Sequence, residues 1–263
     1  MSLPNITVCC CTYRRPRMLE YVLYCFEQQD YPFRSMVILD DAGQLEEAEG
    51  NRWRVVSVDK RYPTLGEKRN ACAKMVPKGT EVLVFWDDDD LFLPWGLSAT
   101  AEAMSYKSHA CMTWARPGLF NFLTKTGELW RCRTWNREDQ KDKACQCGWG
   151  IGINLFNATG YPALNVGEDK RLAMALEQHT YGQEEDSTSI YPPWYIWGPW
   201  DNEHISNPKV VYNTFDGGVG KNIDGKIRVQ PKPPPGIDIH RPVFLPEIGP
   251  RPFKGDWYED VER

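Results

Sequence analysis

The 263-residue chain has no long hydrophobic run. Its most apolar stretches, Ile6–Cys11 and Val82–Trp86, fall far short of the roughly 20 residues a membrane-spanning helix needs. No excess of positive charge is present either. With 31 Lys and Arg against 36 Asp and Glu, the net charge is −5, so no overall field draws the chain onto nucleic acid or anionic lipid. A local basic groove stays open. Met1 to Asn5 holds no basic cluster followed by an apolar run, which predicts no secretory leader. Cys111, Cys132, Cys145 and Cys147 contain no CxxC pair, so a zinc ribbon is disfavoured. Gly220-Lys221 is followed by Asn222 and no glycine stands five before Gly220, which disfavours a P-loop, and in Gly148-Trp149-Gly150-Ile151-Gly152 the third glycine comes one position early for a dinucleotide fingerprint. There is no internal repeat.

What remains is ordinary globular usage, 41% hydrophobic and 25% charged, which excludes a disordered tail, a collagen and a coiled coil. Cys9, Cys10 and Cys11 are adjacent, and neighbours in a strand point to opposite faces, so they read as buried thiols in a reducing compartment. The expectation is a soluble cytoplasmic protein.

Strand and helix signals alternate through the first half. Short β-type runs occupy Ile6–Cys11, Met36–Leu39, Val55–Val58 and Val82–Trp86. Helical spacing follows Pro16, with Leu19, Val22, Leu23 and Phe26 on one face, and recurs over Gly66–Val76 and from Pro94 to about Ser105. Such alternation predicts an α/β domain whose mainly parallel sheet is covered on both faces. Ligands of such sheets sit beyond the carboxyl ends of the strands. Thr12-Tyr13, Asp40-Asp41 and Asp87–Asp90 are therefore expected to converge on one rim. Later strands are expected at Cys111–Trp114, Gly118–Leu123 and Glu128–Cys132. A strand leading into a short helix follows at Trp149–Phe156, then a helix over Glu168–Leu176. Eight prolines between Pro231 and Pro252 mark an extended tail that wraps the domain or stays mobile.

Asp87-Asp88-Asp89-Asp90 is the strongest chemical signal. Two like charges 4 Å apart repel by about 4 kcal/mol at an effective dielectric of 20, so the cluster needs solvation, protonation or a cation. Oxygen-only ligands favour Mg²⁺ or Mn²⁺, which complete their shells with water and substrate phosphates. The bland alternative is a solvated acidic turn capping the next helix. Lys68 and Arg69, near a helix start at Gly66, could hold a phosphate together with exposed N–H groups, or simply be a solvated first turn. Glu168 and Asp169 open a helix. They read either as dipole-complementing caps or as a base for an acceptor hydroxyl.

These pieces stand in a familiar order. Cys11-Thr12-Tyr13-Arg14-Arg15-Pro16 resembles the first-strand motif of the family 2 glycosyltransferases. Gln28-Gln29-Asp30-Tyr31-Pro32 with Ile38-Leu39-Asp40-Asp41 is similar to their second strand. Leu65 to Asn70 is similar to their basic helix start, and Phe85 to Pro94 matches their DxD region. Leu155 to Tyr161, then Gly167-Glu168-Asp169, resembles the acceptor segment and catalytic acid. The resemblance implies a GT-A fold acting on a nucleotide-diphosphate sugar, a UDP-sugar by the family's commonest usage, with Mn²⁺ or Mg²⁺. It implies that Thr12, Tyr13, Arg15, Asp40 and Asp41 line the nucleotide pocket, with Lys68 and Arg69 near the donor. Asp87 and Asp89 would be the DxD pair, Asp89 the main metal ligand. With four acids in a row the pair can shift by one, which brings in Asp88. Asp169 would be the base, Glu168 its support, and the reaction inverting. His204, in a segment resembling one that completes the metal shell in some GT-A enzymes, is either a third metal ligand or an ordinary loop histidine. Tyr191, Trp194, Tyr195, Trp197 and Trp200 form either a sugar-stacking platform or core.

On this reading residues 1–228 form one glycosyltransferase domain, with a nucleotide-sugar half (1–105) and an acceptor half (106–228). Residues 229–263 are a proline-rich extension. Partners are the nucleotide-sugar and a glycan or other hydroxyl acceptor; acidic charge disfavours nucleic acid. A sugar-nucleotide pyrophosphorylase would need a Gly-rich loop after strand one, and an aspartyl-phosphatase a nucleophile ending that strand. A non-catalytic nucleotide-sugar-binding module is the remaining alternative.

Overall fold

The computed structural model describes residues 3–105, 112–114, 120–123, 129–133, 149–176, 180–181, 195–196, 226–234 and 239–240. The chain begins β1 (Ile6–Thr12), α1 (Pro16–Glu27), β2 (Arg34–Asp40), β3 (Ala48–Glu49), β4 (Trp53–Ser57), α2 (Leu65–Ala73) and β5 (Val82–Asp87). It continues with β6 (Leu91–Phe92), α3 (Gly96–Ser105), β7 (Met112–Trp114), β8 (Phe120–Leu123) and β9 (Leu129–Arg133). Next come β10 (Trp149–Gly152), α4 (Ile153–Thr159), α5 (Glu168–Ala175), β11 (Thr180–Tyr181) and β12 (Tyr195–Ile196).

Eight strands form one sheet in the order β11-β7-β10-β5-β1-β2-β4-β3. β1 sits at its centre, parallel to β2 and β5, and β2 is parallel to β4. The expected parallel core is therefore present. β3 and β10 run antiparallel to their neighbours, which the apolar runs alone could not reveal. Gly150 lets α3 lie close on β10: a Cβ there would stand 2.8 Å from the Thr100 methyl. Among the described residues no helix is long and apolar enough to cross a membrane.

Alternation along the strands divides the core in two. Ile6, Val8 and Cys10 of β1 and Val82, Val84 and Trp86 of β5 pack with Leu19, Leu23 and Phe26 of α1. Cys9, Leu83 and Phe85 face the other way, onto Cys72 of α2, Phe156 of α4 and Leu172 of α5. Trp86 stacks flat on Phe92 with ring centroids 3.8 Å apart, anchoring the turn that follows β5.

Register then places the site. Cys11 lies opposite Asp87, Thr12 opposite Asp40, and Asp40 opposite Ser57. The polar residues ending three strands thus share one level at one edge. A late segment also returns to this half. Ile227 bridges to Leu45, Lys232 N–H donates to Glu20 O, and Val229 and Ile239 are buried in the α1-side core. Of the expected extension, only residues up to 234 and 239–240 lie among the described residues.

The loop at 160–167 is stapled onto the start of α2. Gly66 N–H donates to Leu164 O at 3.0 Å, Leu65 N–H to Asn165 Oδ1 at 3.0 Å, and Asn70 exchanges two hydrogen bonds with the Tyr161 backbone. A Cβ on Gly66 would stand 1.9 Å from Pro162 O, so only glycine permits this approach. We expect Gly66→Ala to destabilise the fold by about 1–3 kcal/mol, the usual range for an overpacked site, measured by urea denaturation.

Candidate active site

Between β1 and α1 the chain turns sharply. Arg14 takes a left-handed backbone conformation, φ 56°, and Pro16 opens the helix. Non-glycine residues adopt that region at a cost, which persists where surrounding structure enforces it. The turn exposes Tyr13 partly and turns Arg15 inward, where it is 8% exposed. Arg15 Nη1 donates to Asp88 Oδ1 at 2.7 Å and lies 3.0 Å from Asp89 Oδ2. Burial pulls the Arg15 guanidinium down, but Asp88 and Asp89 more than offset it and hold it above its ordinary value. Burial pushes the Asp88 carboxyl up to about 6, with Arg15 opposing and Asp89 adding.

Asp40 is fully buried and accepts from Ala42 N–H, Gln44 N–H, Leu45 N–H and the Ser57 hydroxyl, at 2.9 to 3.1 Å. A carboxylate has about four acceptor positions, and all are filled from within the chain. Asp40 thereby fixes the loop after β2. Its neighbour Asp41 accepts from Lys68 Nζ at 2.5 Å, Arg61 Nη1 at 2.8 Å and Tyr62 N–H at 3.1 Å. Lys68 Nζ also donates to Thr12 O at 2.5 Å, tying α2 to the end of β1. The Arg61 guanidinium lies 3.6 Å above the Tyr13 ring.

Arg69, next along α2, reaches across the rim. Nη2 donates to Asp87 Oδ1 at 2.7 Å, Nη1 donates to Glu168 Oε1, and the guanidinium sits over the Tyr161 ring at 5.3 Å. Burial lowers its basicity, but Asp87, Tyr161 and Glu168 together raise it above normal. Burial raises the Glu168 carboxyl, which Arg69 partly counters. Asp169 is half-buried beside it, at the first turn of α5.

The structure thus brings together Thr12, Tyr13, Arg15, Asp41, Lys68, Arg69, Asp87, Asp88, Asp89 and Glu168. It differs from expectation at the start of α2. Those N–H groups are satisfied by the Thr64 hydroxyl, Asn165 and Leu164, not open to a phosphate. The Thr64–Glu67 capping box was readable from its spacing. His204, Trp197, Trp200, Tyr191 and Trp194 lie outside the described residues, as do Cys111, Cys145 and Cys147. Arg61 and Tyr161 were missed as site residues: Arg61 meets Asp41 twenty positions away, and Tyr161 meets Arg69 across ninety-two, separations no local pattern encodes.

Would these acids suit a divalent cation? The donors are hard carboxylate oxygens, and Asp88 Oδ2 is buried with no hydrogen-bond partner. Among the described residues no three ligating side chains form a complete cage. Mg²⁺-type ions need only one or two carboxylates when phosphates and water supply the rest, so the set fits.

The family model described as glycosyl transferase family 2 matches residues 7–162. This chain belongs to that family. The match includes the rim from Thr12 to Asp90 and stops short of Glu168 and Asp169. Among solved structures, S. aureus TarS 1-349 in complex with UDP-GlcNAc aligns with a TM-score of 0.54 at 16% identity, over 77% of this chain and 60% of that one. Another structure of S. aureus TarS 1-349 aligns at 0.51 and 14% identity, over 73% and 59%. A longer S. aureus TarS structure aligns at 0.52 and 15%, over 73% and 36%. At such identities the structural likeness shows a shared GT-A fold. The family 2 chain spans between about a third and three fifths of those structures. No curated protein matches the sequence.

We expect Arg69→Met to cost about 3 kcal/mol of stability, because buried Glu168 loses its counter-charge and half-exposed Asp87 loses its partner. Adding Glu168→Gln should restore part of that loss. A double-mutant cycle in guanidinium chloride checks it; additive effects would show that Arg69 and Glu168 are not coupled.

Proposed function

We propose that the chain is a metal-dependent inverting glycosyltransferase. It moves a sugar from a nucleotide-diphosphate donor, a UDP-sugar, to an acceptor hydroxyl on a glycan or other molecule. The observation that carries this reading is the strand register that levels Thr12, Asp40 and Asp87 on one rim, with Glu168 facing it across Arg69. Residues 1–105 form the donor half and 106–228 the acceptor half, with 229–263 as a proline-rich extension. Free, mostly buried Cys9, Cys10, Cys11, Cys25 and Cys72 support a reducing, cytoplasmic setting.

Tyr13 offers a ring for the base, and Thr12 and Asp41 line the ribose side. Asp89 and Asp87, with Asp88 adjacent, would hold Mn²⁺ or Mg²⁺. When bound, such an ion offsets charge on the departing diphosphate as a Lewis acid. Lys68 and Arg69 keep the rim's carboxylates in place while adding positive potential near the phosphates. Asp169 removes the acceptor's proton, and Glu168, fixed by Arg69, orients the first turn of α5 around it. Attack then comes from the face opposite the leaving nucleotide, which inverts the anomeric centre. The TarS fragment was solved with UDP-GlcNAc, and UDP-sugars are accordingly the first donors to assay.

Donor turnover with Mn²⁺, followed by mass spectrometry against a panel of UDP- and GDP-sugars and acceptors, tests the activity. Binding without turnover on every acceptor would favour a nucleotide-sugar-binding module instead. Asp169→Asn should lower kcat by about 10²–10⁴, the usual worth of a general base, with UDP affinity nearly unchanged. NMR of the product should show inverted configuration, and retention would remove Asp169 from the base role.

A further inference from the structure

The acids following β5 are already countered by the chain's own cations. Arg15 Nη1 bonds Asp88 and Asp89, and both carboxylates and the guanidinium are buried, 9% exposed or less. Arg15 is only half used. Its Nη2 is buried without a hydrogen-bond partner, as is Asp88 Oδ2. A buried guanidinium with an idle N–H face is costly, since each unmet polar group forfeits its hydration. The arrangement is therefore satisfactory for charge and unsatisfactory for hydrogen bonding.

We propose that Arg15 is a placeholder cation. It occupies Asp89 while no donor is bound and transfers to the donor's diphosphate when the nucleotide arrives, so that divalent ion and nucleotide load together. This deepens the glycosyltransferase reading and rests on it. The physical grounds are direct. Asp89 Oδ2 cannot serve Arg15 at 3.0 Å and a divalent ion equally well, because two cations on one oxygen repel. A guanidinium fork is built for phosphate oxygens, and Nη2 supplies the second prong. Arg15 sits at the first residue outside α1, on the tight turn after Tyr13, so a side-chain rotation shifts it without moving β1 or α1. Arg15 thus binds the donor and also controls when the acids become available.

The test reads metal binding directly, through the loss of the free Mn²⁺ electron-paramagnetic signal, in wild type and Arg15→Gln, each with and without UDP. Wild type should bind Mn²⁺ weakly alone and at least tenfold tighter with saturating UDP. Arg15→Gln should bind Mn²⁺ alone at least tenfold tighter than wild type, and UDP should change that affinity less than threefold. Arg15→Lys, which keeps the charge, should bind Mn²⁺ alone as weakly as wild type. Unchanged or weaker Mn²⁺ binding by Arg15→Gln, with UDP still tightening Mn²⁺ in wild type, overturns the role of Arg15 and leaves the activity standing. Should Arg15→Gln fail to fold, the wild-type comparison decides: equal Mn²⁺ affinity with and without UDP overturns the proposal. Wild type that binds neither UDP nor Mn²⁺ in any combination overturns the donor reading itself, and this inference with it.

Discussion

Charge compensation in a nearly dry rim is the constraint on which the rest of this structure depends. Asp41, Asp88, Asp89 and Glu168 are all buried at one edge of the sheet, with Asp87 beside them half-exposed. Uncompensated, such a group would shift its protonation or unfold its surroundings. The chain answers with three buried cations, each bonded across elements. Lys68 joins the loop after β2 to the end of β1, Arg15 joins the α1 turn to the acids after β5, and Arg69 joins β5 to α5. Two of the three are neighbours on α2. Successive helical residues point about 100° apart, so one short helix can address both sides of the rim.

That is why the placement of α2 matters so much. Its own amphipathic pattern is weak, and it is held from outside: Cys72 and Ala73 enter the core, Thr64 caps its start, and the 160–167 loop fastens onto Leu65, Gly66 and Asn70. The same loop leads directly into Glu168. A displacement of α2 therefore moves the cations together with Glu168 and Asp169. Gly66 sets how closely they approach.

Much of this was legible in the chain. Apolar runs such as Val82–Trp86 gave the strands, because a strand buried on both faces has no polar residue to spare. Acids ending those strands pointed to the rim, because parallel strands put their carboxyl ends at one edge. Other features could not be read. The Asp40-Asp41 pair looks symmetrical in sequence, yet one carboxylate takes three backbone N–H groups and a hydroxyl while the other takes two cationic side chains and one N–H, and only the loop's path decides which. β6 and β12 are two-residue strands defined by each other, and Arg61 over Tyr13 is a contact between segments with no shared period. The direction of β10 depends on where the chain returns, which composition does not encode.

The charge pattern also bears on how a donor enters. A diphosphate and a divalent ion bring opposite and roughly equal charge, so together they can join a rim that is already compensated without upsetting its balance. Either alone could not: the ion would meet the guanidinium on Asp89, and the diphosphate would meet the carboxylates. Rearrangement within the rim then costs little, since Arg15 trades two carboxylates for phosphate oxygens of the same sign. Arg69 has no such freedom, because Asp87, Glu168 and Tyr161 surround it from three elements. On the proposal made for Arg15, the rim contains one cation that moves and one, Arg69, that is held, and this division lets the same residues hold the fold together and still make room for a substrate.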